Sequence, residues 1–108
     1  MNAGDVSGAL AQFTKAREID GGNAEAIAGI GECEFEQGDY TGAAVHLKLA
    51  ARLAPKKTRY AVLLGQAYYK LGKTKDAVAE YKRALKLDPR NQEAAQSLEV
   101  AERKLSGG

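Results

Sequence analysis

A period of 34 residues runs through this chain of 108 residues. Glycines recur at this interval at Gly4, Gly38 and Gly72, and other small and large residues keep the same spacing. The further sets are Ala9, Ala43 and Ala77; Ala16, Ala50 and Ala84; Phe13, Leu47 and Tyr81; and Ile19, Leu53 and Leu87. Such a period, with small and large residues at fixed offsets, is typical of stacked helix pairs. The sequence therefore predicts an all-α array.

Two stretches carry one motif in full. Residues 58–91 read Ala61-x-x-Leu64-Gly65-x-x-Tyr68, then Ala77-x-x-x-Tyr81, Ala84 and Pro89. Residues 24–57 read Ile27-x-x-Ile30-Gly31-x-x-Glu34, then Ala43-x-x-x-Leu47, Ala50 and Pro55. The pattern resembles the tetratricopeptide repeat (TPR), in which W-x-x-L-G-x-x-Y is followed by A-x-x-x-F and P.

The resemblance covers nearly the whole chain and implies how it is divided. We expect a single domain with the second half of a repeat at 4–23, full repeats at 24–57 and 58–91, a capping helix at 92–105 and a disordered tail at 106–108. The first helix of the half repeat would then lie upstream of Met1, so we expect a fragment of a larger protein. The implied fold is an α-solenoid in which antiparallel helix pairs form a right-handed superhelix.

The repeat at 24–57 departs most from the pattern. Glu34 stands where the pattern has tyrosine, and an unpaired carboxylate near a packing face is unfavourable. Gly29 and Gly42 lie inside predicted helices, where each costs about 1 kcal/mol relative to alanine. We therefore predict that this repeat is the less stable of the two.

Periodicity and helix-terminating residues predict where the helices lie. We expect helices at 6–19, 24–37, 40–53, 58–71 (or from 57), 75–87 and 92–105. Glycine should end two of them, at Gly38 and Gly72. The predicted N-caps are Asn23, Asp39, Thr74 and Asn91.

The sequence contains no recognisable catalytic or metal-binding constellation. His46 and Cys33 are the only residues of their types, and they lie on different predicted helices without the spacing of metal ligands. We expect His46 to be solvated on the convex surface and Cys33 to be a buried thiol. A phosphate-binding loop is not indicated, because Gly72-Lys73-Thr74 lacks the upstream glycine. We therefore expect no enzyme activity, no cofactor and no metal.

Composition also bears on the cellular setting. No run of about 18 apolar residues is present, so a membrane span is not expected. The single cysteine fits a reducing compartment, and a cytoplasmic location is expected. Nucleic-acid binding is not expected, because the basic clusters at 56–59 and 82–86 lack the interleaved aromatic residues of single-strand binders.

Charge is divided unevenly along the chain. The net charge is +2, but residues 1–54 have a net charge of −4 and residues 55–108 one of +6. Such a dipole can steer a charged partner or favour head-to-tail stacking. Ordinary solvated helix faces are the simpler explanation.

The resemblance implies a partner-binding groove. In TPR proteins the first helix of each unit lines this groove, and the corresponding positions here mix acidic, apolar and basic residues. They are Glu25, Ala28, Glu32, Phe35, Glu36, Arg59, Val62, Leu63, Gln66, Tyr69, Lys70, Glu93 and Ser97. We predict that Val62, Leu63 and Tyr69 contact an apolar stretch of a peptide or protein partner. Packing on the neighbouring helix is the alternative that the sequence leaves open.

One subfamily does not match this groove. TPR domains that clamp the acidic EEVD tail of heat-shock chaperones use a Lys/Asn pair, an Asn and a Lys/Arg pair on successive first helices. This chain has Ala28 and Glu32, then Leu63, then Glu93 and Ser97 at those places. Acidic and apolar groups would not hold a terminal carboxylate, so we do not expect this ligand.

Self-association is the alternative function. The predicted helix at 6–19 lacks its usual partner helix, so Leu10 and Phe13 would present an apolar face. A second copy of the chain could cover this face in an isologous homodimer or an end-to-end assembly. The sequence thus indicates a protein-interaction scaffold first and a self-assembly module second.

Overall fold

Six α-helices account for most of the described chain. The computed structural model describes the backbone of residues 3–107 and the side chains of residues 6–107. The helices are α1 (Ala3–Ile19), α2 (Ala24–Glu36), α3 (Tyr40–Leu53), α4 (Thr58–Lys70), α5 (Thr74–Leu87) and α6 (Gln92–Leu105). Residues 3–107 contain no strand, and the all-α prediction is confirmed. Over the same residues, no helix is long and apolar enough to cross a membrane.

Three of the four predicted N-caps form. The side-chain oxygens of Asn23, Asp39 and Asn91 each accept a hydrogen bond from the backbone N–H three residues later, at 3.0, 2.9 and 2.8 Å. The prediction for Thr74 is wrong, because α5 begins at Thr74 itself and its cap residue, Lys73, makes no side-chain hydrogen bond. Thr74 is buried instead. The helix starts one residue earlier because Lys73, not Thr74, stands at the repeat position of Asp39.

Glycines after α2 and α4 turn the chain as predicted. Gly38 has φ +85° and Gly72 has φ +80°, a left-handed conformation that glycine adopts without a Cβ clash. Gly4 stands at the same repeat position but lies inside α1, which begins three residues before its predicted start. Of the predicted disordered tail, Ser106 and Gly107 form a turn after α6, and Gly108 lies outside the described residues.

The helices are stacked in a bent row. Each helix packs on its neighbours in sequence, and α2 also touches α4, as α4 touches α6. Along the described chain α1 does not reach α3, nor does α3 reach α5. The row is 43 × 27 × 19 Å. Because α2, α4 and α6 approach one another more closely than the intervening helices do, they form its concave side.

Close contacts within each pair involve a glycine and a large side chain. A Cβ on Gly65 would lie 2.6 Å from Cε1 of Tyr81, and a Cβ on Gly31 would lie 2.9 Å from Cγ of Leu47. The alanines that repeat on α3 and α5 are completely buried. These are Ala43, Ala50, Ala77 and Ala84. The paired helices therefore approach each other closely at these small residues.

The expectation of a solvated His46 is wrong. Its Nδ1 lies 2.5 Å from Oε1 of Glu34 and 3.1 Å from the carbonyl oxygen of Gly42. The side chains of His46 and Glu34 are 22% and 16% exposed. A Cβ on Gly42 would collide with the Glu34 carboxylate, so this glycine makes room for the pair. Glu34 is thus not the unpaired carboxylate that the sequence suggested.

Candidate partner-binding groove

Two polar links join successive helices of the concave side. Nη2 of Arg59 on α4 lies 2.6 Å from Oε1 of Glu32 on α2. Nε2 of Gln66 on α4 donates a hydrogen bond of 2.7 Å to Oε1 of Glu93 on α6. Arg59 and Glu93 occupy the same repeat position, as do Glu32 and Gln66. The same pair of positions therefore connects α2 to α4 and α4 to α6.

An apolar hollow opens between α1, α2, α3 and α4, and we refer to it as the Phe13 cavity. Its volume is about 400 Å³, within the range of small-ligand pockets. The walls are mainly apolar, with polar side chains around the mouth. The apolar lining comprises Ala9, Phe13, Gly29, Cys33, Phe35, Leu47 and Leu63, and the polar lining comprises Glu32, Glu36, Arg59 and Gln66.

A second, more open hollow lies where α4, α5 and α6 meet. Tyr69, Tyr81, Gln96, Ser97 and Val100 line its volume of about 320 Å³. Burial raises the pKa of Tyr81, and hydrogen bonding with Ser97 opposes that rise. Val100 is 48% exposed, so an apolar side chain faces solvent at this end of the groove.

Most of the predicted groove residues lie at one of these hollows. The Phe13 cavity brings together Glu32, Phe35, Glu36, Arg59, Leu63 and Gln66. Tyr69 and Ser97 lie at the second hollow, and Glu93 is held beside the groove by Gln66. Glu25 lines an adjoining hollow with Lys57 and Arg59. Lys70 is exposed at the end of α4 and lines neither main hollow.

Two predicted residues face the core. Val62 is 3% exposed and packs with Ala61, Ala84 and Ala94, so the packing alternative holds for it. Ala28 is 2% exposed and belongs to the main core cluster. Val62 lines none of the hollows described above, whereas Ala28 also lines the adjoining hollow beside Glu25. Leu63 and Tyr69, in contrast, are partly exposed at the cavity walls.

Phe13 also lines the Phe13 cavity, although the sequence suggested it only for self-association. Its ring lies over Gly29, where an added Cβ would be 2.6 Å from Cγ of Phe13. The repeat register aligns Phe13 with Leu47, which packs on a glycine of the preceding helix. No helix precedes α1 among residues 3–107, and the ring instead lies on α2. Leu10, the other proposed self-association residue, is also half-buried.

Acidic side chains dominate the α2 side of the Phe13 cavity. Burial raises the pKa of Glu32, attraction to Arg59 opposes the rise, and the charge of Glu36 adds to it. Cys33 is buried, and desolvation together with the three surrounding glutamates raises the pKa of its thiol. Because the thiolate is the reactive form of cysteine, Cys33 is suited to packing. Glu36 is exposed at the mouth.

Comparison with known families agrees with this architecture. A family profile described as tetratricopeptide repeat matches residues 1–61 and 34–101. The chain belongs to the tetratricopeptide repeat family. The resemblance seen in the sequence is therefore confirmed, and the helix row is a TPR α-solenoid.

Solved TPR domains superimpose on the chain over most of its length. The first TPR domain of human RPAP3 covers 96% of this chain at a TM-score of 0.91 and 26% identity, with 82% of that domain covered. The first TPR of Spaghetti (RPAP3), solved with the HSP90 peptide SRMEEVD, gives a TM-score of 0.92 and 26% identity, with 95% of this chain and 82% of that chain covered.

A curated relative is a much larger protein. A protein O-mannosyl-transferase of Caenorhabditis elegans is 33% identical over 73 residues, which cover 68% of this chain. The match spans 11% of the length of that transferase. This chain therefore corresponds to a small part of the relative.

Proposed function

We propose that this chain is a non-catalytic scaffold module, part of a larger protein, that binds a peptide segment or partner protein in its concave groove. The observation that carries the proposal is the Phe13 cavity, which places Phe35 and Leu63 at the wall of an open hollow. A face built only for solvation would not need half-buried apolar side chains there. Concave apolar pockets with a few polar groups at the mouth are typical of binding sites.

The TPR of Spaghetti (RPAP3) bound to a chaperone peptide supports a peptide ligand in general. Its acidic peptide is a poor guide to the ligand of this chain. Ala28 is buried, Glu32 is held by Arg59, and Glu93 is held by Gln66. No free cation is offered to a terminal carboxylate by these three residues, and we propose a different class of peptide.

The polar groups at the cavity support a binding role over a catalytic one. They form an ion pair and an amide–carboxylate hydrogen bond, and neither is a nucleophile with an adjacent base. The buried Cys33 has a raised pKa, which works against thiolate chemistry. The activity named for the transferase relative belongs to that protein, of which this chain matches 11%.

Selection from a phage library of random 12-residue peptides tests the binding role. We expect the wild-type chain to enrich specific peptides and a Leu63→Glu variant to lose them, because a charge would enter the cavity wall. Leu53→Glu is the matched control, since Leu53 is 46% exposed on α3 and lines none of the hollows described above. Circular dichroism checks that both variants fold. Selected peptides that bind the Leu63→Glu variant equally well would overturn the groove proposal.

Self-association is the second candidate. Ile19 at the end of α1 is 81% exposed, and the two halves of the chain carry opposite net charge. These features would suit a contact through α1. Analytical ultracentrifugation of the wild-type chain and an Ile19→Ser variant decides it. A monomer mass that does not change with concentration in either protein would contradict the candidate.

A further inference from the structure

The depth of the Phe13 cavity depends on Gly29. Gly29 on α2 and Leu63 on α4 hold the same repeat position, and both line this cavity. On α4 the position is filled by a leucine side chain that forms a wall. On α2 the residue is a glycine without a side chain, and the ring of Phe13 lies where a Cβ would stand. One repeat therefore supplies a wall and the other supplies a recess.

The mouth of the cavity carries a surplus of negative charge. Its charged lining consists of Glu32, Glu36 and Arg59. Arg59 lies 2.6 Å from Glu32, so that cation is already engaged. Glu36 is exposed beside the apolar wall of Phe35. The cavity thus presents an apolar interior next to one available carboxylate.

On the basis of the proposed groove function, we propose that the Phe13 cavity accepts one large apolar side chain of a peptide ligand and that Glu36 binds a lysine or arginine close to it in that ligand. Apolar side chains seated in a pocket supply most of the affinity in such interfaces. A charge at the rim contributes to selectivity and to the rate of association. The preferred peptide is therefore opposite in charge to an acidic chaperone tail.

The floor of the cavity makes the proposal specific to this chain. A methyl group at residue 29 would lie 2.6 Å from the ring of Phe13 and would push the ring out of its recess. Gly29→Ala raises helix propensity, because alanine is favoured over glycine in a helix interior. A loss of peptide binding in a Gly29→Ala variant that circular dichroism shows to be folded would then come from the changed cavity.

Peptides selected by the wild-type chain from the random library are the probe. We expect them to share an apolar residue with a lysine or arginine within about one helical turn of sequence. Binding of the most enriched peptide is then titrated by isothermal calorimetry. Gly29→Ala should lower the affinity for this peptide at least about tenfold. Glu36→Lys should lower the affinity by a few-fold and should make the affinity depend less on salt. Glu18→Lys, at an exposed position on α1 that lines none of the hollows described above, is the charge control.

The outcomes separate this inference from the groove function on which it rests. The inference would be overturned if the selected peptides were acidic or lacked an apolar residue. If the Leu63→Glu variant still failed to bind such peptides, the groove function would stand. Unchanged affinity in a folded Gly29→Ala variant would also overturn it. Failure to select any peptide, or peptides indifferent to every groove variant, would count against both.

Discussion

Nδ1 of His46 on α3 lies 2.5 Å from Oε1 of Glu34 on α2, across the contact between the two helices of one pair. The equivalent positions in the next pair are Glu80 and Tyr68, which cannot form this interaction. The first pair therefore has a partly buried polar link where the second has an aromatic side chain. Burial raises the pKa of Glu34 above its ordinary value of 4.5, although attraction to His46 opposes the rise.

This shift predicts a pH dependence of stability. A carboxyl whose pKa is higher in the folded state costs stability once it must ionise, so the free energy of unfolding should fall as pH rises through the folded pKa of Glu34. Each unit of pKa shift corresponds to about 1.4 kcal/mol. Glu34→Gln removes the ionisation and keeps an oxygen that can accept a hydrogen bond from His46. We expect this variant to gain stability relative to the wild type as pH rises above the ordinary carboxyl pKa of 4.5.

Urea unfolding of both proteins at several pH values provides the measurement. Because the other acids are common to both proteins, the difference in free energy of unfolding reports Glu34 together with its contact with His46. Gln37→Glu, at an exposed position just after α2, controls for a change of charge in this region. A difference between wild type and Glu34→Gln that is the same at pH 4 and pH 7 would show that the pKa of Glu34 is not raised.

Lys73→Asn should stabilise the chain. Lys73 is the N-cap of α5 and makes no side-chain hydrogen bond, whereas Asp39 at the same repeat position accepts one of 2.9 Å from Gly42. An asparagine cap typically adds about 1 kcal/mol over a residue that does not cap. Thermal unfolding should show a higher midpoint for Lys73→Asn than for the wild type. The midpoint should not rise for Lys75→Asn, which changes an exposed position within α5. An equal shift in both variants would contradict a capping effect.

Gly65→Ala should destabilise the chain despite favouring the helix. A Cβ at this position would lie 2.6 Å from the ring of Tyr81, and overpacking of this kind costs about 1–3 kcal/mol. Gly8→Ala on α1 is the control, because no heavy atom lies within 4 Å of its added Cβ. That variant should be unchanged or stabilised by up to about 1 kcal/mol. Chemical denaturation of the two variants should therefore give shifts of opposite sign, and similar shifts would refute the close contact.

Hydrogen exchange should differ between the two full repeats. We predict faster exchange in residues 24–57 than in residues 58–91, because the first repeat has Gly29 and Gly42 inside its helices and the Glu34–His46 pair between them. The structure shows partial compensation, since Phe13 packs over Gly29 and Glu34 fits above Gly42. Mass spectrometry of exchanging amides makes the comparison, and equal protection in the two repeats would refute it.

Features that recur with the repeat were predictable from the sequence. The period places Gly31 and Gly65 against large residues of the paired helix, and the structure has both contacts. Features that depend on a difference between the two repeats were not predictable in this way. Glu34 looked unpaired because its partner, His46, lies 12 residues away on another helix and no motif links the two. The contact of Phe13 with Gly29 was not predictable either, because the repeat register aligns Phe13 with Leu47, which packs on a helix that precedes its own.

The resemblance predicts which helices line the candidate groove, but it does not predict which of their side chains are exposed there. The resemblance identified α2, α4 and α6 as its walls, and the contacts among these three helices agree. It could not separate Val62, which is buried, from Leu63, which lines the cavity. Adjacent helical residues point about 100° apart, so a small rotation of α4 decides which of them meets solvent.

The short range of the contacts between helices has a consequence for how the molecule unfolds. Over the described residues no helix touches one more than two places away in the row. Cooperativity must then pass from one interface to the next, as in a one-dimensional lattice, and damage at one junction need not reach the others. Such a chain can unfold from one end while the remaining helices stay folded. A substitution at the interface between α1 and α2 would thus cause local fraying at a lower denaturant concentration than unfolding of the whole chain.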